Sequence, residues 1–171
     1  MLCDIILNTD TIRLLNNHLQ TTSVSQNRKK WERELATDNT RREAQAVQDA
    51  AETLHENFVK RAFQTDSICQ LATASPHPVL VCGDFNSLPS SYTYHRLSES
   101  LKDGFKTGGH GYMYTYRYGK RMLRIDYAFH SPELECTDYY SPNLDLCSDH
   151  NPVIFLSLIH ISEPTRPRLI S

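Results

Sequence analysis

The stretch VLVCGDFNSLPSS, residues 79–91, most strongly limits how this chain can fold. Its first four residues, VLVC, form a short apolar run rich in β-branched residues, which is typical of a buried strand. The run stops at GDFN, so that Asp84 and Asn86 place a carboxylate and a carboxamide at the strand end. Polar groups at such a position need partners, and we expect other strand ends to supply them.

Strands and helices alternate along the rest of the chain, and 171 residues suffice for one domain but not two. Apolar runs and alternation predict strands, and long stretches without glycine or proline predict helices. The predicted elements are a strand at 11–19, a helix across 28–73, a strand at 79–82, a helix at 90–100 and strands at 121–129, 135–142 and 151–156. This order indicates a layered α/β or α+β domain.

We expect one face of the long predicted helix to pack against the sheet. Thr40 and Glu43 have the spacing of a capping box, and apolar residues then recur at steps of three and four. The predicted buried face consists of Val47, Ala51, Leu54, Phe58 and Ala62.

Composition excludes several classes of protein. The formal net charge is −2 and charged residues make up 22%, so nothing indicates a global surface for binding polyanions. Five cysteines without a CxxC pair argue against both a disulfide framework and a zinc knuckle. No apolar run approaches the roughly 20 residues of a membrane span. Any recognition of phosphate must therefore be local.

The end of the chain differs in character from the rest. Residues 156–171, LSLIHISEPTRPRLIS, have no periodic pattern and follow a strand that looks complete at Phe155. The segment LSLIHISEPTRP resembles the in-frame translation of a sequencing adapter. We therefore predict a domain at 1–156 and a non-native tail at 157–171, with a natural unstructured tail as the alternative.

Four polar clusters stand at the ends of predicted strands: NNH at 16–18, DFN at 84–86, RIDY at 124–127 and SDH at 148–150. Strand ends in layered sheets converge on one edge, where ligand sites form. Each cluster alone is more typical of a turn or of a structural histidine. Together they indicate a site, because a core has no need of four polar groups that each require partners.

The side chains in these clusters suit one chemistry in particular. Asp84 and Asp149 offer the oxygen ligands that a hard divalent cation such as Mg²⁺ prefers. A histidine becomes a usable base near neutral pH when its second ring nitrogen donates to a carboxylate, for which Asp126 is the candidate. A second histidine could donate a hydrogen bond to a phosphate oxygen. A cation, a base and such a donor together favour hydrolysis of a phosphate ester by water.

The clusters also carry a resemblance to a known family. VCGDFNSLPSS, RIDYAFHSP and CSDHNPVIF resemble signature segments of the endonuclease/exonuclease/phosphatase superfamily, and NNHLQ resembles its Asn-x-His-Leu segment. The segments occur in the family's order, and the resemblance covers residues 11–156. It implies a deoxyribonuclease-like four-layer α/β sandwich, with two sheets face to face, helices outside and the active site at one end.

The resemblance also implies catalytic roles. His150 would be the general base acting on the attacking water, and Asp126 would hold its imidazole. Asp84 and Asn86 would position phosphate, water and metal. His18 would donate to the phosphate or to the leaving oxygen.

Further roles follow for the metal and the substrate. Asp149 would join Asp84 in binding the cofactor, Mg²⁺ or Mn²⁺, and Asn16 would contact substrate beside the second histidine. Separately from the resemblance, the residue pattern places Arg117 among tyrosines and near Lys120, Arg121 and Arg124. This pattern predicts a cationic and aromatic wall that suits nucleic acid, with a packed tyrosine loop and solvated arginines as the alternative.

One part of the family pattern is missing. The family places a metal-binding glutamate in strands before the Asn-x-His-Leu segment, and here only ten residues precede Thr11. The chain thus resembles an N-terminally truncated family domain, and we expect little hydrolase activity from it alone. Uncovered sheet edges also predict poor solubility.

Other readings of the sequence stay open at this stage. We expect a phosphoester substrate. It is nucleic acid, a small soluble phosphoester or, in a sphingomyelinase-like or phosphoinositide phosphatase-like enzyme, a molecule at a membrane. A non-catalytic binding module of the same fold is a further alternative. No stable protein partner is predicted, and a longer protein would be either cytoplasmic or attached to a membrane.

Overall fold

The computed structural model describes residues 1–7, 10–22, 40–118, 122–144 and 147–159. The strands and helices of these residues follow one another as β1 (Leu2–Leu7), β2 (Asp10–His18), α1 (Thr40–Thr73), β3 (Val79–Asp84), α2 (Tyr92–Ser98), β4 (Lys102–Asp103), α3 (Gly104–Gly108), β5 (Asp126–His130), β6 (Leu134–Tyr140) and β7 (Ile154–Ile159).

Two sheets pack face to face, and helices cover the outer face of the larger one. Five strands form the larger sheet in the order β1-β2-β3-β5-β4, and β6 pairs with β7 in the smaller. Val81 and Phe129 of the larger sheet lie in one core cluster with Ile68 of α1. On its other face, Ala128 packs with Tyr139 of the smaller sheet. The α/β class is confirmed, and the described residues form a helical layer and two sheet layers.

The stretch that ends in GDFN forms the central strand of the larger sheet. β3 runs parallel to β2 and antiparallel to β5. It continues to Asp84, two residues beyond the predicted end. Phe85 follows with 0% exposure, and its ring makes edge contacts with Tyr127 and Phe129. The strand end is therefore fixed by packing on the helical side of the sheet.

The predicted buried face of α1 is wrong by one residue position, about 100° around the helix axis. Val47 and Phe58 are 58% and 54% exposed. The residues of α1 that are buried instead are Ala46, Asn57, Arg61, Thr65, Ile68, Cys69 and Ala72. Residues 28–39 of the predicted helix, and the side chains of the capping box, lie outside the described residues.

The polar half of this buried face has a specific partner, the segment that follows β2. Arg61 Nη1 donates to the carbonyl of Gln20 at 2.9 Å, and Gln64 Oε1 accepts from the Gln20 N–H at 2.9 Å. Because an irregular segment presents unpaired backbone groups, the helix covers it with polar side chains. An apolar periodicity search does not find such a face.

Other boundaries also differ from the prediction. Strand β1 was not predicted, and the strand expected at 121–129 begins only at Asp126 and ends at His130. Strand β7 runs to Ile159, which pairs with Leu134, so regular structure extends three residues into the predicted tail. Residues 160–171 lie outside the described residues, and the origin of the tail stays a prediction.

Strand β1 at the sheet edge predicts self-association. Its residues Leu2, Ile6 and Leu7 are 46%, 74% and 49% exposed, and beyond β1 no further strand is paired among the described residues. An apolar edge strand is a template for pairing with another chain, and a lysine there blocks such pairing. We expect Ile6→Lys to shift the chain towards monomer in size-exclusion chromatography. The matched variant Val47→Lys, on the exposed face of α1, should not, and equal elution of both would contradict this mechanism.

Candidate active site

The register of three adjacent strands brings three predicted site residues into one row. His18 of β2 lies opposite Asp84 of β3, which in turn lies opposite Asp126 of β5. Side chains directly opposite on neighbouring strands are about 5 Å apart and point to the same face. His18 Nε2 is 3.5 Å from Asp84 Oδ2. The row lies at the end of the sheet.

Backbone geometry fixes Asp84 within this row. Gly83 has φ +130°, and a Cβ there would lie 1.9 Å from the carbonyl oxygen of Asn17, so only glycine allows β2 and β3 to approach this closely. Asn86 has φ 47°, a left-handed conformation that asparagine tolerates. Its N–H donates to Asp84 Oδ1 at 2.8 Å, and its Nδ2 donates to Asp84 Oδ2 at 3.2 Å. Asn86 therefore orients the carboxylate.

The imidazole of His150 reaches the row from a different segment. His150 Nδ1 lies 2.8 Å from Asp126 Oδ2, and its Nε2 lies 3.9 Å from Asp84 Oδ2. The ring of Tyr116 contacts the imidazole edge-on, with 5.2 Å between ring centroids. Because a carboxylate only accepts, Nδ1 donates to Asp126, and in the neutral form of the ring the lone pair of Nε2 lies on the side of Asp84.

Backbone pairing holds the segment that carries His150. Tyr116 forms an isolated β-bridge with His150. The N–H of Arg117 donates to the carbonyl of Asp149 at 2.9 Å, and Arg117 Nη1 donates to the carbonyl of Ser148 at 3.0 Å. The predicted substrate residue Arg117 thus helps to hold the segment of the candidate base.

The environment shifts the pKa values of two of these groups. Burial raises the pKa of Asp84; the hydrogen bond from the Asn86 N–H opposes this, and the neighbouring Asp126 adds to it. Burial by itself would lower the pKa of His150, but the hydrogen bond and charge of Asp126 and the charge of Asp84 outweigh it, so the pKa is raised.

Three of the side chains are close enough to hold one cation. Asp84, Asp126 and His150 each offer one ligand atom, and these atoms all lie within 4.8 Å of one another. Two partly buried carboxylates beside an imidazole form a donor set that fits a divalent cation. The predicted ligand Asp149 is exposed and lies outside this group, and its part in metal binding stays a prediction.

Asn16 lies two residues before His18 at the rim of a pocket of about 390 Å³ between the sheets. Asp126 and Asn151 also line this pocket. Asn151 is 4% exposed, and its carboxamide makes no hydrogen bond within the described residues. The pocket therefore has a polar end that adjoins the histidine–aspartate pair.

The prediction that Arg124 belongs to the cationic wall is wrong. It is 7% exposed and donates from Nη2 to Asp103 Oδ2 at 2.8 Å, and its guanidinium lies 4.6 Å from the ring centroid of Tyr127. It is therefore part of the core behind the site. Lys120 and Arg121 lie outside the described residues.

Thr115 is a site residue that the sequence did not reveal. It is 0% exposed and its Oγ1 accepts from the N–H groups of Ile125 and Asp126. A threonine among tyrosines at 112–118 carries no motif, so only the folded structure identifies it.

This arrangement agrees with a comparison of the sequence with protein families. The profile of the Endonuclease/Exonuclease/phosphatase family matches residues 17–150. The chain belongs to this family. The match begins at the predicted strand-end cluster NNH and ends at His150, so it spans the residues that the structure brings together. Among curated proteins, none matches the chain.

Solved structures share the fold. A functionally unknown conserved protein from Enterococcus faecalis V583 has a TM-score of 0.61 at 15% identity, with 90% of this chain and 52% of that chain covered. An endonuclease/exonuclease/phosphatase from Bacteroides vulgatus has a TM-score of 0.50 at 25% identity, with 61% and 45% covered. A protein described likewise, from Beutenbergia cavernae DSM 12333, has a TM-score of 0.57 at 16% identity, with 90% and 37% covered. The chain spans about half the length of the first two.

The raised pKa of His150 predicts how the histidine–aspartate pair depends on pH. The pKa of His150 in the folded state lies above the value of 6.5 that is ordinary for histidine, so the pair's contribution to stability is fully present below pH 6.5 and is lost as pH rises through the folded-state pKa. We expect an NMR titration of His150 to show a midpoint above 6.5. Asp126→Asn should lower it, whereas Asp66→Asn, a change on α1, should not. A midpoint at or below 6.5 in the unchanged chain would contradict the pairing.

Proposed function

We propose that this site serves metal-dependent hydrolysis of a phosphoester bond, with His150 as the base that takes a proton from the attacking water. The observation that carries the proposal is the 2.8 Å contact between His150 Nδ1 and Asp126, which leaves Nε2 facing Asp84. Family membership and a phosphoesterase-type fold support the same class of reaction. The reaction of this chain, its cofactor and its substrate are parts of the proposal.

In this proposal Asp126 and His150 act as one unit. The carboxylate fixes the tautomer and the orientation of the ring, and it stabilises the imidazolium that forms when Nε2 accepts a proton. The raised pKa makes His150 a stronger base than a free imidazole, at the cost of a smaller neutral fraction at a given pH. Activity should therefore rise with pH through the pKa of His150.

Asp84 is the proposed ligand of Mg²⁺ or Mn²⁺, with Asp149 as a further ligand by family resemblance. The cation, when bound, supplies charge neutralisation at the phosphate oxygens. Asp126 Oδ2 accepts from His150, whereas within the described residues the carboxylate of Asp84 accepts hydrogen bonds shorter than 3.5 Å only from Asn86. Asp84 Oδ2 lies 3.5 Å from His18 Nε2 and 3.9 Å from His150 Nε2. Asn86 keeps the carboxylate of Asp84 oriented towards the position that phosphate and cation would share.

His18 completes the proposed site on the opposite side of Asp84. Its side chain is 68% exposed, so it is accessible to a bound substrate, and its Nε2 lies 3.5 Å from Asp84. In its protonated form it would donate to a phosphate oxygen or to the leaving oxygen. Its neighbour Asn16, also exposed, is the proposed substrate contact.

We propose nucleic acid as the substrate class, on the basis of the aromatic side chains beside His150. Tyr116 contacts the imidazole, Tyr118 lies 5.9 Å from Tyr116 between ring centroids, and Tyr118 is 63% exposed. Exposed aromatic rings near a phosphate site suit stacking of unpaired bases. Within the described residues, no helix has both the length and the apolar character needed to cross a membrane.

Cation binding is testable on the chain itself. Mg²⁺ or Mn²⁺ should raise the midpoint of thermal unfolding, since a ligand at 100 times its Kd stabilises the folded state by about 2.7 kcal/mol. Asp84→Asn should abolish this shift. Asp49→Asn, which removes a carboxylate from the surface of α1, should leave it unchanged. A cation-dependent shift that survives Asp84→Asn would refute the proposed ligand.

Catalysis is testable in a longer polypeptide that contains this chain and hydrolyses phosphoesters. His150→Ala should lower kcat by at least ~10², because general-base catalysis contributes a factor of that order. His95→Ala, an exposed histidine on α2, is the matched control. Assays with single-stranded DNA, sphingomyelin and inositol phosphates separate the substrate classes. Turnover unaffected by His150→Ala would exclude the proposed base and leave the fold as a binding module.

A further inference from the structure

We propose that Thr115 is a positioning residue that sets the distance between His150 and Asp126 by hydrogen bonding to both of their segments. The inference rests on the function proposed above, in that the histidine–aspartate pair is taken as the catalytic unit. Thr115 touches neither ring nor carboxylate in the described hydrogen bonds, and it acts through the backbone.

The side chain of Thr115 holds the start of β5. Its Oγ1 accepts from the N–H of Ile125 at 3.0 Å and from the N–H of Asp126 at 3.1 Å. A hydroxyl oxygen has two acceptor lone pairs, so these two bonds use its full accepting capacity. Two successive N–H groups directed at one oxygen fix the backbone of Asp126 where its side chain joins the row.

The backbone of Thr115 holds the segment of His150. Its carbonyl accepts from the N–H of Asn151 at 2.7 Å, and its own N–H donates to the carbonyl of Leu123 at 2.9 Å. The next residue, Tyr116, forms the bridge with His150. One residue therefore joins the strand of the carboxylate to the segment of the imidazole, which are 24 positions apart in sequence.

Because Thr115 is buried, water cannot replace its hydroxyl group as a hydrogen-bond acceptor. The residue is 0% exposed, so water cannot take over the two N–H groups if the oxygen is removed. Valine has nearly the same shape and lacks the acceptor. Serine keeps the acceptor and lacks the methyl group. These two substitutions separate hydrogen bonding from packing.

The test is the ring N–H proton of His150 in NMR spectra of the purified chain with labelled histidine. A proton held in a short bond to a carboxylate exchanges slowly and gives a resolved downfield resonance. The resonance is assigned by its disappearance in His150→Gln. His130 is an internal reference, because it is 1% exposed and both its ring nitrogens have partners, Ser131 O and Thr107 Oγ1, at 3.0 Å.

We expect Thr115→Val to lose the His150 resonance and to keep that of His130. Thr115→Ser should keep both. If Thr115→Val does not fold, Thr115→Ser and Thr115→Ala carry the test, since they differ only in the hydroxyl group; Ser should keep the His150 resonance and Ala should lose it.

The matched control is Thr65→Val. Thr65 is also 0% exposed, and its Oγ1 donates to the carbonyl of Arg61 at 2.7 Å, far from the site in sequence and on α1. A His150 resonance that persists in Thr115→Val or Thr115→Ala, or that is equally lost in Thr65→Val, would overturn the inference. Because the experiment measures no turnover, its outcome does not depend on whether the site hydrolyses phosphoesters.

Discussion

The register of β3 between β2 and β5 is the constraint on which the rest of the structure depends. It puts His18, Asp84 and Asp126 opposite one another on one face at the same end of the sheet. Side chains alternate with a period of two along a strand, so a slip of one residue would turn Asp84 into the helical layer. Gly83 secures this register, because its missing Cβ lets β3 lie against the Asn17 carbonyl of β2.

The segment GDFN contains one residue that stabilises the fold and one that destabilises it. Phe85 anchors the strand end in the aromatic core, whereas Asp84 is held partly buried directly opposite Asp126, and like charges in such a position destabilise a sheet. Hydrogen bonds from Asn86 and His150 to the two carboxylates offset part of this cost. A site that is locally unfavourable and supported by its surroundings is typical of binding and catalysis.

That His18, Asp84, Asp126 and His150 lie close together was predictable from sequence, and much of the packing around them was not. Polar clusters at strand ends mark the row and His150, because apolar strands rarely end in carboxylates without a reason. The buried face of α1 was missed since Arg61 and Asn57 are buried for polar contacts, which no apolar periodicity reports. Thr115 and the Arg124–Asp103 pair depend on contacts between distant segments, for which single positions carry no signal.

The central claim is that one cation position is shared by residues far apart in the chain, and paramagnetic broadening by Mn²⁺ tests it most directly. At low Mn²⁺, backbone amide signals of Asp84, Asn86, Asp126 and His150 should broaden together, ahead of those at the opposite end of the larger sheet. Broadening that instead begins among the acidic residues of α1, or that reaches Asp84 without His150, would contradict the account.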